Sequence, residues 1–218
     1  MKGIFSLVRM ADFATLLNAF LGFSSILMAF QGEFLAAAAL IFLAAAVDGL
    51  DGFLARKTDS GPLGLNLDSL ADTISFGAAP AVLAWAQFGW HFWALGGVYL
   101  ACGILRLARF NVGPKKEATF EGMPIPAAGM IVAVSVLLDE PFLAASLMAA
   151  SSILMISSTP YPKCRDKRLA PIVLAAAVVA LATCMQSDFH LLASIALLVL
   201  VVYLTYPLVM ALCQQRKR

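Results

Sequence analysis

Four aspartates, Asp48, Asp51, Asp68 and Asp72, stand in a stretch of chain that is otherwise largely apolar. Asp48 and Asp51 are spaced i, i+3 and Asp68 and Asp72 i, i+4, so on helices each pair shares one face. The short link Lys57–Leu63 between the two apolar segments makes those helices antiparallel neighbours. Both carboxylate pairs then reach similar depth and can face each other. Four oxygen donors without a neighbouring His or Cys suit a hard cation, Mg²⁺ or Mn²⁺, with ligands enough for two ions. Gly49, Gly52 and Ala55 line the same stretch. Small residues there either let helices pack closely or leave room for a ligand beside the carboxylates.

The surroundings of these acids set their significance. The chain has 218 residues, 61% of them apolar and 13% charged, and its mean hydropathy is +0.89. A soluble domain carries about twice that charge. The balance excludes a soluble globular protein, a disordered tail and a secreted disulfide scaffold, and leaves a polytopic membrane protein. Cys102, Cys164, Cys184 and Cys213 are scattered and read as reduced membrane thiols. The net charge of +2 carries no nucleic-acid signal, and no such partner is expected. An Asp at the centre of a membrane helix costs about 2.5–3.5 kcal/mol, so four at full depth would cost about 10–14 kcal/mol. All four approach one membrane end, which softens this, but compensation is still needed. Arg56 and Lys57 are too few and lie at the surface. Bound cations are one answer; a cation transport path using the same acids is another.

The elements that must hold these residues follow from apolar runs and their polar breaks. Eight segments emerge, roughly 12–30, 34–56, 64–88, 91–111, 123–138, 142–158, 170–186 and 190–212, most long enough for a core about 30 Å thick. The fold class is all-α: a transmembrane bundle of about eight spans forming a single domain over 1–218, with further helices over about 140–212. Segment one follows Lys2 and Arg9 and reads as a retained helix, not a cleaved signal. The Lys and Arg residues cluster at both ends and around the second, fourth and sixth connections; the others carry Glu33, His91, Asp139, Glu140, Asp188 and His190. Eight spans put every basic residue on one side, and the positive-inside rule makes that side cytoplasmic, with both termini there. The runs Lys163–Arg168 and Arg216–Arg218 are then orientation signals.

The stretch Asp48–Asp72 reads D-G-L-D-G-F-L-A-R, seven residues, G-L-N-L-D-S-L-A-D. It resembles the signature of the CDP-alcohol phosphatidyltransferases, D-x-x-D-G-x-x-A-R, a spacer, then G-x-x-x-D-x-x-x-D. Asp48, Asp51, Gly52, Ala55, Arg56, Gly64, Asp68 and Asp72 occupy its fixed positions. The spacer is one residue shorter than usual, which falls in the link and keeps both helical spacings. Ser75–Pro80 (S-F-G-A-A-P), Arg106–Asn111 (R-L-A-R-F-N) and Gly122–Ala127 (G-M-P-I-P-A) look like segments of the phosphatidylserine synthases within that family. Thr15 and Asn18 look like the end of the family's P-N-x-x-T-x-x-N, with Ala11-Asp12 where Pro-Asn is usual. The likeness covers about residues 10–130.

The resemblance implies exchange of the CMP of a CDP-lipid for an alcohol. The lipid would be CDP-diacylglycerol or the ether analogue CDP-archaeol, the acceptor L-serine, and the by-product CMP. It implies metal ligands at Asp48, Asp51, Asp68 and Asp72, and a general base at Asp72. Gly52, Ala55 and Gly64 would border the nucleotide, and Arg56 would meet phosphate or cap its helix. Arg106 and Arg109, i and i+3 near the cytoplasmic surface, read either as snorkelling cations or as an anion clamp for a carboxylate or phosphate. Asn111 would add a hydrogen bond, and Ser75, one turn from Asp72, would stand near the acceptor. Family members are commonly homodimers, so a homodimer is expected, in the plasma membrane with its site open to the cytosol. An acceptor such as glycerol 3-phosphate or inositol phosphate is the alternative.

Overall fold

A computed structural model describes residues 8–54, 63–113 and 119–162. They form helices α1 (Met10–Phe30), α2 (Phe34–Leu54), α3 (Gly64–Asp72), α4 (Ala79–Phe88), α5 (Trp93–Val112), α6 (Ile125–Leu137) and α7 (Pro141–Ile156). The first six expected segments are thus helical. The last two, about 170–186 and 190–212, lie outside the described residues. Two helical stretches, Asp12–Phe30 and Trp90–Val112, are long and apolar enough to cross a membrane; Phe34–Gly49, Ile125–Leu137 and Pro141–Ile156 are shorter apolar helices. One departure from the all-α expectation is a ribbon of two three-residue strands. β1 (Thr119–Glu121) pairs antiparallel with β2 (Pro160–Pro162).

α1 is amphipathic in an inverted sense. Its buried face carries Asp12, Thr15, Asn18 and Ser25, while Phe13, Phe20, Phe23, Leu27 and Phe30 are exposed. Polar-in, apolar-out is the arrangement that an apolar solvent favours, since unpaired polar groups are costly in lipid. The Asp12 carboxylate accepts the Arg9 backbone N–H at 2.7 Å, satisfying a donor at the start of the helix. At the other end, Glu33 N–H reaches the Met28 carbonyl and Gly32 N–H the Ala29 carbonyl, which closes the last turn and reverses the chain. α2 therefore runs back along α1 in the most extensive helix pairing described. Its alanines permit the close approach, and the Ser25 hydroxyl donates across it to the Ala37 carbonyl at 2.8 Å.

The segment expected as one span over 64–88 is interrupted. Between α3 and α4, Thr73–Ala78 is π-helical, with Ala79 N–H bonded to the Ile74 carbonyl. Pro80 supplies the cause. Its ring clashes with the carbonyl four residues back, that of Phe76, and it has no N–H to offer it. The buried Tyr99 hydroxyl donates to that carbonyl at 2.8 Å. α6 lies in the middle of the bundle, buried almost throughout, as a helix apolar on all sides should be. Pro124 and Pro126 open it, where a missing N–H leaves nothing unpaired.

Arg109 fastens α5 to the end of α7. Its Nη2 donates to the carbonyls of Glu121, Met155 and Ser157 at 2.7, 3.2 and 3.0 Å, and Nη1 to that of Ile156 at 3.2 Å. The last-turn carbonyls of a helix need donors, and a cation there also meets the negative end of the helix dipole. Gly122, at φ +79°, lies against this knot: a Cβ there would collide with the Met155 carbonyl oxygen and Arg109 Nη2. The R-L-A-R-F-N and G-M-P-I-P-A segments, apart in sequence, are therefore halves of one junction.

Candidate active site

Carboxylates from the two aspartate-bearing helices meet at one end of the bundle. α2 brings Asp48, and α3 brings Asp68 and Asp72. One carboxylate oxygen from each lies within 4.8 Å of the others. Asp72 is buried, and Asp48 and Asp68 half-buried. Two ionised carboxylates at that separation repel by about 3.5 kcal/mol at an effective dielectric near 20. Nearby positive charge offsets that repulsion. A hard-oxygen donor set of this compactness is what a divalent cation of the Mg²⁺ class uses, and the three residues can hold one.

Some of that charge comes from α5. Arg106 is 8% exposed, interacts electrostatically with Asp72, Asp48 and Asp68, and its guanidinium carbon stands 5.6 Å from the Phe110 ring centroid. Of its two readings, snorkelling to water does not describe a side chain so enclosed. Arg109, three residues on, instead directs its guanidinium to the backbone junction described above.

α1 supplies contacts that the aspartate spacing did not reveal. The Asn18 amide donates from Nδ2 to Asp72 Oδ1 at 3.3 Å. Asn18 is 1% exposed, and its Oδ1 is buried without a hydrogen-bond partner, an arrangement that costs about 1–3 kcal/mol. One turn above Asp72, Ser75 is fully buried and donates to the Asn18 carbonyl at 2.8 Å. Gly22 lets the helices close there, since a Cβ on it would stand 2.5 Å from Ser75 Cα. The Ser75 hydroxyl, expected beside the acceptor, thus ties α1 to the π-helical stretch. Asp12 also comes into the neighbourhood: its Oδ1 lies 3.7 Å from where a Cβ on Gly64 would be. Only the partial P-N-x-x-T-x-x-N likeness had pointed to α1.

Asn111, at the end of α5, meets Ser69 on α3, with 3.1 Å between Oδ1 and the Ser69 hydroxyl. That hydroxyl also lies 3.2 Å from the Leu65 carbonyl and shares its single hydrogen. Asn111 therefore holds the helix that carries Asp68 and Asp72. Asp51 and Gly52 fall in the last turn of α2, but their side chains, and all of Ala55 and Arg56, lie outside the described residues.

Residues 8–160 match the sequence profile of the family described as CDP-alcohol phosphatidyltransferase. The chain belongs to that family. Archaetidylserine synthase of Methanothermobacter thermautotrophicus is 42% identical over 170 residues, covering 74% of this chain and 73% of that protein. A protein of Methanocaldococcus jannaschii named CDP-diacylglycerol–serine O-phosphatidyltransferase is 36% identical over 170 residues, 77% of this chain and 80% of the relative. Its namesake in Helicobacter pylori is 36% identical over 159 residues, 66% of this chain and 67% of the relative. CDP-alcohol phosphatidyltransferases are membrane-associated and in general metal-dependent. In this CDP-alcohol phosphatidyltransferase the Asp48–Asp68–Asp72 cluster offers the donor set that such dependence needs.

Proposed function

We propose that the protein transfers the phosphatidyl group of a CDP-lipid to the hydroxyl of L-serine, releasing CMP. The observation that carries this reading is the convergence of Asp48, Asp68 and Asp72 within the family's signature, at the end of the bundle where Arg106 also stands. The names of the archaeal and bacterial relatives support serine as acceptor. CDP-diacylglycerol and CDP-archaeol both suit the lipid role.

Asp48, Asp51, Asp68 and Asp72 would hold one or two Mg²⁺ or Mn²⁺ ions. Bound there, such ions supply charge neutralisation of the pyrophosphate and stabilise departing CMP. The serine hydroxyl oxygen attacks the lipid-side phosphorus. An O–P bond forms, the P–O bond to CMP breaks, and Asp72 takes the hydroxyl proton. Arg106 binds an anionic group, the serine carboxylate or a phosphate. Gly52, Ala55, Arg56 and Gly64 border the nucleotide. Arg109, Asn111 and Ser75, read from sequence as substrate-binding, shape the substrate site by fixing α7, α3 and α1 around it.

In the same reading residues 1–218 form one domain of eight spans in the plasma membrane. Both termini and the site face the cytosol, where serine enters and CMP leaves, and the lipid enters laterally. The basic residues confined to alternate connections support this orientation. The functional unit is a homodimer.

The test uses purified protein, CDP-diacylglycerol or CDP-archaeol, and labelled L-serine, with and without Mg²⁺ or Mn²⁺. Metal-dependent CMP release together with label in lipid is expected. CMP release without labelled lipid would reject serine in favour of another alcohol. Neither product from folded protein, with ion flux in sealed vesicles, would replace the reading with cation transport.

A further inference from the structure

We infer that Asn18 is a positioning residue for Asp72, fixing the carboxylate that the proposed transfer uses as base. This rests on the function proposed above. Asn18 lies on α1, outside the aspartate-bearing signature, yet its amide donates a hydrogen bond to Asp72. The position has three properties that together exceed those of ordinary helix packing.

First, the bond is enclosed. Asn18 is 1% exposed and Asp72 5%, so bulk water does not compete for the carboxylate oxygen that Nδ2 holds. Second, α1 and the segment after Asp72 are joined twice at the same residue. The Asn18 side chain takes Asp72 Oδ1, and its main-chain carbonyl takes the Ser75 hydroxyl, with Gly22 allowing contact one turn further along. The second tether sets the depth of the amide relative to α3, so the amide cannot slide along the carboxylate. Third, Asn18 Oδ1 has no partner although it is buried. A site selected only for packing would favour an apolar side chain of similar volume. An amide left half-satisfied is a penalty that the bond from its other half explains.

The consequence is geometric. With Oδ1 of Asp72 held by α1, the rotation of the carboxylate that shares the cluster with Asp48 and Asp68 is restricted. Asn18 touches neither substrate nor reacting atoms in this account; it acts through Asp72.

The test compares Asn18→Leu, which keeps the branching at Cγ and removes the amide, with Asn18→Ser, a smaller second variant in case the first does not fold. Serine transfer is measured for kcat and KM, and Mn²⁺ binding by electron paramagnetic resonance titration. The expected result is a fall in kcat of about 10–100-fold, the range usual for loss of a partner that orients a functional group. KM for both substrates should stay within about twofold and the melting temperature should hold, while Mn²⁺ affinity, to which Asp72 contributes as one ligand among several, should fall much less than kcat. Wild-type kcat in a folded variant would overturn the inference. So would parallel loss of kcat, Mn²⁺ affinity and thermal stability, which is the signature of a purely structural residue. Wild-type protein assayed alongside separates the two layers. If it transfers to no alcohol, the proposed function itself fails; if it transfers and Asn18→Leu matches it, only the role of Asn18 fails.

Discussion

Tyr99→Phe should destabilise the bundle, and Pro80→Ala should remove most of that effect. Pro80 offers no N–H to the Phe76 carbonyl. The Tyr99 hydroxyl donates to that carbonyl at 2.8 Å, and Tyr99 is fully buried. Removing the hydroxyl strips this donor from a carbonyl in a low-dielectric interior. An unsatisfied buried acceptor costs about 1–3 kcal/mol in soluble proteins. Measured side-chain hydrogen bonds between membrane helices average about 0.6 and reach about 1.7 kcal/mol. The proline-freed carbonyl belongs at the upper end of the membrane range, so the expected loss is about 1–2 kcal/mol. That is roughly a five- to thirtyfold shift in the folded-to-unfolded ratio. In a Pro80→Ala background the backbone can supply an N–H at residue 80, and the same Tyr99→Phe change should cost less than half as much. Reversible unfolding in mixed micelles, followed by circular dichroism on all four proteins, measures the coupling. An equal cost of Tyr99→Phe with and without the proline would refute the account of the π-helical stretch.

Other expectations concern the acids and the α5–α7 junction. Asp72→Asn should keep Mn²⁺-dependent CDP-lipid binding and lose turnover, whereas Asp48→Asn or Asp68→Asn should lose both; isothermal titration alongside the transfer assay distinguishes them. Chelation should abolish transfer and Mg²⁺ or Mn²⁺ should restore it, with metal-independent transfer the contrary result. Gly122→Ala should cost at least about 2 kcal/mol, because a non-glycine residue at positive φ is strained by about 1–2 kcal/mol before any steric conflict. Here the new methyl also meets the Met155 carbonyl and Arg109 Nη2. Unchanged unfolding of that variant would show that the junction yields freely.

Helix positions were legible in the sequence because, in a membrane protein, apolar runs bounded by charge are the dominant signal. All six expected segments within the described residues are helical. The interruption at Thr73–Ala78 was not anticipated, although Pro80 was visible. A proline inside an apolar run is compatible with a kink, a π-helical turn or a helix start, and the choice depends on which donor reaches the freed carbonyl. That donor, Tyr99, lies on another helix.

The candidate site divides in the same way. Asp48, Asp68 and Asp72 could be grouped from sequence, since i, i+3 and i, i+4 spacing on helices joined by a short link leaves few ways to avoid one another. Helical period and link length are local properties, and they determined the acidic cluster, the hard-cation chemistry and the apolar setting. What α1 and α5 contribute was decided only by tertiary packing. Arg106 and Arg109 look equivalent at i, i+3, yet one is enclosed near the carboxylates while the other is taken up by the carbonyls of Glu121 and the α7 end. Ser75 follows Asp72 by one turn, but Gly22 brings α1 close enough to claim its hydroxyl. Asn18 meets Asp72 across 54 residues of chain. Local spacing cannot encode such a contact, because it exists only once two helices have packed at a particular depth and rotation.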